Sequence, residues 1–344
     1  GGDTKPWTDR LAQLERLLAA VKPPVTMPTR HGILSALAAG DLADAEKRLA
    51  DAAGADLIGR SVMGELVAAA RKDPNLKAEA AVLLKSTMAT DLRLPEIGRV
   101  WAMGALKARP TSQWAAGLAA QHATDAAGLQ EVLALLKPAD CVLARAIEAS
   151  ILMIENKYAE AAEVYRRAAE AEKGDPQLVM RQAIATENSG KLPEALALYR
   201  QVWEKTKSPT AANNAAYLAS ELYPKDKQHL AEAAAWAQAA TDAEPANSAF
   251  HDTRGWIAYL LDRNDEAVAQ LRQAVKGLAA SPEVHYHLGL AENKAGNAQL
   301  GRDHLQAAVD LGEAAKTGDR PLPKSATDAV RLAREALAQL QGAQ

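Results

Sequence analysis

Arg254-Gly255-Trp256 and Leu288-Gly289-Leu290 stand 34 residues apart, each leading into a stretch of helical period. The same frame steps back from Gly255 to Ala216, Ala183 and Ala149, at spacings of 39, 33 and 34 residues. Each of these small residues precedes another small residue by twelve positions, or by seventeen in the unit that holds Ala216. Small residues let helix backbones come close, so their pairing marks helix crossings. A period near 34 with two helices per unit predicts a solenoid of stacked helical hairpins.

Composition agrees. Alanine, leucine, glutamate, glutamine, lysine and arginine dominate the 344 residues, and these are strong helix formers. A single Phe and scarce β-branched runs leave little from which to build a sheet. The chain exceeds one compact core, yet a repeat array grows without splitting into separate cores. The expected class is all-α.

The net charge of −3 is spread over interspersed signs, with no basic stripe to gain counterion-release energy from phosphates. Nucleic acid is therefore not an expected partner. Cys141 is the lone cysteine, which excludes an intramolecular disulfide and a cysteine-based metal cluster. Its setting before Val142-Leu143 reads as a small buried helix residue. No apolar run approaches the roughly 20 residues that span a bilayer. Gly1-Gly2-Asp3-Thr4-Lys5-Pro6 is polar, unlike a signal peptide; Gly1 and Gly2 read as an expression remnant, with an upstream signal or anchor removed. Periplasm and cytoplasm both stay open.

The clearest unit runs from Asn247 to Ala280. Asn247 or Ser248 caps a first helix through Leu261, Asp262-Arg263-Asn264-Asp265 turns, and Glu266 to Lys276 forms the second helix. Ser281-Pro282, Asp175-Pro176 and Ser208-Pro209 each set a capping residue before proline at the first helical position. Gly190 and Gly296 fall at turns inside their hairpins, where a left-handed residue is needed.

These residues resemble the tetratricopeptide repeat family. Its pattern asks for small residues at the eighth and twentieth positions, met by Ala149 with Ala161, Ala183 with Ala195, Gly255 with Ala267 and Gly289 with Gly301. The twenty-fourth position holds Tyr165, Tyr199, Leu271 and Leu305, and the twenty-seventh Ala168, Val202, Ala274 and Ala308. A third unit, Pro209 to Pro245, fits with an insertion at Tyr223-Pro224-Lys225-Asp226-Lys227, pairing Ala216 with Ala233 and closing on Ala240. Thr186 and Glu292 depart from the large apolar eleventh position. Residues 142–312 thus read as five tandem repeats. The strings Asn213-Asn214-Ala215-Ala216-Tyr217-Leu218 and Thr253-Arg254-Gly255-Trp256 are similar to the last repeats of bacterial proteins that accompany exopolysaccharide or envelope assembly.

Upstream, residues 1–141 read as degenerate helical hairpins. An opening helix runs from Thr8 to Val21 and a hairpin from His31 to Ala53. Helical segments follow at 54–72, 76–90, 94–108, 111–122 and 125–136. Residues 313–344 hold the rest of a linker from Gly312 to Lys324, then a last helix capped by Ser325 that covers the end of the stack. The resemblance implies a right-handed α-solenoid, the superhelix of this family.

It also implies that first helices line the concave surface. By register the groove positions are Met180, Ile184 and Glu187; Asn213, Tyr217 and Ser220; Asp252, Trp256 and Tyr259; then Tyr286, Leu290, Asn293 and Lys294. Tyr217, Trp256, Tyr259 and Tyr286 there give large contact area at low entropic cost, suited to peptide or sugar-like partners. Packing between helices is the other reading of each. A clamp for a C-terminal carboxylate, known in one subclass, is not expected: Asn213 stands at the lysine place, and Ala249 and Thr253 stand where cations are needed.

No chemistry competes. His285 and His287 lack the i, i+4 spacing of a helical metal pair, though His251 and His285 hold equivalent positions within reach across the stack, with His304 nearby. Asp262 to Glu266 lacks the glycine and distal glutamate of a calcium loop. Gly59-Arg60-Ser61-Val62-Met63-Gly64 is one residue too long for a nucleophile elbow. Lys5, Arg10, Arg16 and Lys22 read as a solvated face. No metal, cofactor or enzymatic activity is expected. The leading reading is a non-catalytic scaffold that holds a peptide segment or partner protein in its groove; the alternative is a structural or self-associating component of a bacterial envelope or export assembly.

Overall fold

The computed structural model describes residues 29–51, 67, 70–72, 80–82, 84–87, 95–137, 140–315 and 322–342. The expected opening helix, its basic face, the Gly59–Gly64 string and most of segments 54–72 and 76–90 lie outside them. Among the described residues all regular structure is helical. Its helices are α1 (Thr29–Ala39), α2 (Leu42–Asp51), α3 (Pro95–Ala108), α4 (Gln113–Gln121), α5 (Ala126–Leu135), α6 (Val142–Ile154), α7 (Tyr158–Ala171) and α8 (Pro176–Asn188). Then come α9 (Leu192–Thr206), α10 (Pro209–Leu222), α11 (Lys227–Ala243), α12 (Ser248–Leu260), α13 (Asn264–Gly277), α14 (Pro282–Lys294), α15 (Ala298–Ala315) and α16 (Lys324–Gly342).

The chain divides into two compact units, Gly1–Val164 and Tyr165–Gln344. In the first, α1 packs on α2, α3 on α4 and α5 on α6. Ile33, Leu34, Leu106, Leu136 and Ile147 belong to one core. Cys141 is not interior to a helix. It is the N-cap of α6, half-buried, and its Sγ accepts from the Ala144 N–H at 3.4 Å.

In the second unit α8 pairs with α9, α10 with α11, α12 with α13 and α14 with α15, and α16 closes the end on α14 and α15. Short turns make each pair antiparallel. The small residues sit where the helices cross: Ala183, Ala195, Ala216, Ala233 and Ala267 are fully buried. A Cβ on Gly255 would stand 2.6 Å from Leu271 Cγ, and one on Gly289 would stand 2.7 Å from Leu305 Cγ. Tyr199, Leu271 and Leu305 fill the twenty-fourth position and are themselves fully buried.

The caps form as their chemistry demands. Asp175 Oδ1 accepts from the Gln177 and Leu178 N–H groups at 2.9 and 3.1 Å, and Asn247 Oδ1 from Ala249 N–H at 3.2 Å. Ser208 and Ser281 cap α10 and α14. Each such cap is worth about 1 kcal/mol. Ser325 differs: α16 starts one residue earlier, so Ser325 lies in its first turn and its hydroxyl donates to Glu283 Oε1 at 2.9 Å. The helix α15 also continues through Ala315, past the expected linker start at Gly312.

The backbone repeats with the sequence. Gly190, Asp262 and Gly296 turn inside their hairpins with φ of 84°, 59° and 88°, and Asn156, between α6 and α7, is also left-handed with φ of 60°. Between hairpins, Arg254 ties three helices together: its Nε and Nη2 donate to Glu266 Oε1 on α13, and its Nη1 donates to Thr241 Oγ1 on α11.

Candidate functional site

The first helices of successive hairpins in the second unit share one open groove of about 830 Å³. Its walls are Ile184 and Glu187 from α8, Asn213, Tyr217 and Glu221 from α10, Asp252 and Trp256 from α12, and Glu283, Tyr286 and His287 from α14. Lys324, Ser325, Asp328 and Leu332 of α16 close one end.

Seven of the register positions therefore come together: Ile184, Glu187, Asn213, Tyr217, Asp252, Trp256 and Tyr286. Met180, Tyr259, Asn293 and Lys294 lie outside the lining. Met180 packs on the core of Ala183, Tyr199 and Ala216, and Tyr259 on that of Leu271 and Leu288. Lys294 Nζ lies 4.4 Å from the Tyr259 ring centroid and bonds to Tyr259 O. Asn293 backs onto Gly301, whose added Cβ would meet it at 2.9 Å. Ser220 is buried, its hydroxyl turned back to Tyr217 O, and Leu290 is covered by the core that α16 completes.

Glu221, Glu283 and His287, which register alone omits, form the electrostatic centre. Glu221 follows Tyr217 by four residues, and one helical turn brings it to the same face. His287 Nδ1 meets Asp252 Oδ1 at 2.9 Å across adjacent hairpins. Burial disfavours the imidazolium, but the Asp252 carboxylate, with Glu221 and Glu283 beyond it, outweighs that and raises the His287 pKa. The ring stacks on Trp256 at a centroid distance of 4.3 Å, and Trp256 stacks on Tyr259 at 5.1 Å. These two contacts brace Trp256 in its half-buried position. Tyr217 and Ile184 are freer, at 38% and 36% exposure. Burial, and then the charges of Glu221, Glu187, Asp252 and Glu283, push the Tyr217 phenol up to about 12. Burial and the bond its hydroxyl donates to Glu187 Oε2 at 2.6 Å also raise the Tyr199 phenol.

The raised His287 pKa carries a pH prediction. Its folded value lies above the unfolded value near 6.5, so the Asp252–His287 contribution is fully present below about pH 6.5 and fades as pH rises through the folded value. The denaturation midpoint is expected to fall between about pH 6 and pH 9. Asp252→Asn should flatten that slope; an unchanged slope in the variant removes the pair as its source.

The other histidines do not meet as register alone places them. His251 and His285 are not partners. His251 Nδ1 pairs with Gln270 Oε1 at 2.6 Å, and His285 Nδ1 pairs with His304 Nδ1 at 3.1 Å. Both rings also bond a carbonyl six residues back, Pro245 O and Ala279 O, so the two sites are one repeated packing motif. Among the described residues no group of three or more His, Cys, Asp or Glu could hold a metal ion. None of the described helices is long and apolar enough to cross a membrane.

Fold and groove together define a class: stacked helical hairpins whose first helices share an open groove. Neither a family model nor a curated protein matches the chain. Among solved structures it is similar to the MamA RS-1 ArsTM double mutant, at 16% identity and TM-score 0.46, over 52% of this chain and 98% of that one. It is also similar to MamA 41-end from Desulfovibrio magneticus RS-1, at 16% identity and TM-score 0.45, over 53% of this chain and 98% of that one. A third is TTC0263, a thermophilic TPR protein in Thermus thermophilus, at 20% identity and TM-score 0.45, over 58% of this chain and all of that one.

Proposed function

We propose that the chain is a non-catalytic scaffold of the tetratricopeptide type that docks a peptide segment of a partner protein in the groove of its second unit. One observation carries the reading: helices α8, α10, α12 and α14 each send side chains into the same open cleft. Ile184 and Tyr217 lie there more than a third exposed, although large apolar and aromatic side chains are ordinarily covered. Exposed aromatics in a cleft are the anchors on which interface energy concentrates. A place in bacterial envelope assembly, implied by the Asn213–Leu218 and Thr253–Trp256 strings, is the process in which to look first for the partner.

Panning a randomised twelve-residue peptide library on the immobilised chain tests the docking. Enriched peptides should lose about thirtyfold in affinity to the Ile184→Ser/Tyr217→Ala variant, as expected for removing a buried anchor worth about 2 kcal/mol. The helical circular dichroism should be retained, because both side chains face the cleft rather than the crossings. Equal affinity for variant and parent places the binding elsewhere and ends this reading.

A further inference from the structure

The groove carries more negative charge than its own residues neutralise. Five carboxylates line it: Glu187, Glu221, Asp252, Glu283 and Asp328. Asp252 is answered by His287 at 2.9 Å and Asp328 by Lys324 at 2.9 Å. Among the described residues the other three have no cationic partner. Glu187 accepts the Tyr199 hydroxyl, and Glu283 accepts the hydroxyls of Ser281 and Ser325 at 2.8 and 2.9 Å. Glu221 is exposed, and its carboxylate bonds to no group among the described residues. These three come from α8, α10 and α14, and all of them line the same groove as Tyr217.

A second observation is independent of the acids. Asn213 Oδ1, in the same lining, is shielded from solvent and accepts no hydrogen bond from the described residues. A buried acceptor without a donor is unfavourable, and a donor arriving with a ligand satisfies it. Lysine and arginine heads are donors without acceptors, and arginine also stacks on aromatic faces such as that of Tyr217.

Resting on the docking reading, we propose that the groove selects a basic peptide segment, seating a lysine or arginine side chain over Tyr217 among Glu187, Glu221 and Glu283. The dimensions favour a segment over a small cation. Four first helices spaced by roughly 10 Å span on the order of 30 Å, the reach of about nine extended residues. Ile184 and Tyr286 offer apolar contact on either side of the charged centre.

Fluorescence anisotropy on the full chain tests this with two labelled ten-residue probes, one alternating serine with arginine and the other serine with glutamate. The arginine probe should bind at least thirtyfold tighter than the glutamate probe, and its affinity should fall with added salt. The triple variant Glu187→Gln/Glu221→Gln/Glu283→Gln should weaken it at least tenfold and reduce the salt dependence. Glu170→Gln, on an exposed helix face outside the groove, should leave it unchanged. If the triple variant loses its helical signal, Glu221→Gln alone decides, because that carboxylate supports no internal bond; about a threefold loss is expected. Equal binding of the two probes, or no change in the variants, overturns the charge selection. If the glutamate probe binds as well and Tyr217→Ala abolishes it, docking stands and the basic preference falls. If neither probe binds while library-selected peptides still do, docking stands and the basic preference falls. Spermine that competes at concentrations equal to the arginine probe would replace a segment with a free polycation and overturn the proposal.

Discussion

Gly289→Val is expected to destabilise the second unit by about 3 kcal/mol, a large effect for adding three carbons. Gly289 on α14 and Gly301 on α15 face each other backbone to backbone. A Cβ at 289 would stand 2.7 Å from Leu305 Cγ and 3.0 Å from the Gly301 carbonyl oxygen. A Cβ at 301 would reciprocally stand 2.9 Å from the Gly289 carbonyl oxygen. A flexible side-chain tip can swing away from such a clash, but a carbonyl within a helix cannot. The two γ-methyls of valine enlarge the conflict, so α14 and α15 must separate, and Leu305 loses its fully buried site. Gly104→Ala supplies the contrast. Gly104 is exposed in the interior of α3 and a Cβ there meets nothing within 4 Å, so alanine should stabilise by about 0.5–1 kcal/mol through helix propensity. Guanidinium midpoints followed by circular dichroism measure both. A Gly289→Val midpoint equal to the parent's would mean that the paired small residues are not what sets the helix approach.

The repeat frame was legible because its determinants are local and steric. Glycine at 255 and 289, alanine at the other crossings, and Asp175, Ser208 and Ser281 before proline each answer a requirement that few residue types meet. Gly190 and Gly296 announce left-handed turns for the same reason. Asn156 and Asp262 adopt that conformation at matching positions without announcing it, because asparagine and aspartate serve equally well as ordinary turn residues. Cys141 escaped as a cap because a thiol is a poor acceptor seldom found in that role.

The groove was half legible. Register places Ile184, Tyr217 and Trp256, whose spacing follows the hairpin period. It misplaces Leu290, the equivalent residue of the last hairpin, because that surface is taken by α16 rather than by another repeat. No periodicity says how α16 returns after the linker. Lys324, Ser325, Asp328 and Leu332 therefore enter the groove from a direction the sequence pattern does not encode. Glu221 and Glu283 were accessible in principle, one turn along or back from groove positions, but surface carboxylates on helices are too common to stand out.

Arg272→Met and Glu292→Leu should behave oppositely, although they break the same ion pair. Glu292 occupies the eleventh position of its hairpin, where the repeat pattern asks for a large apolar side chain, and it is 1% exposed. Its carboxylate accepts from Arg272 Nε at 2.7 Å and from Asn297 Nδ2 at 2.7 Å. Arg272 is 53% exposed at its side chain. Removing the arginine leaves a buried carboxylate with one neutral donor. Orphaning a buried charge ordinarily costs about 3–5 kcal/mol, tempered here because the lost partner was half in water; about 2–3 kcal/mol is expected. Removing the glutamate orphans only a guanidinium that can turn to solvent, while leucine fills the interior position with the side chain the pattern favours. Glu292→Leu should therefore lie within about 1 kcal/mol of the parent or above it. The double variant should match Glu292→Leu alone, giving a coupling energy of about 2 kcal/mol in the thermodynamic cycle. If Glu292→Leu is instead as damaging as Arg272→Met, the carboxylate supports α14 and α15 through Asn297 as well, and the departure from pattern at this position is a structural requirement rather than a tolerated one.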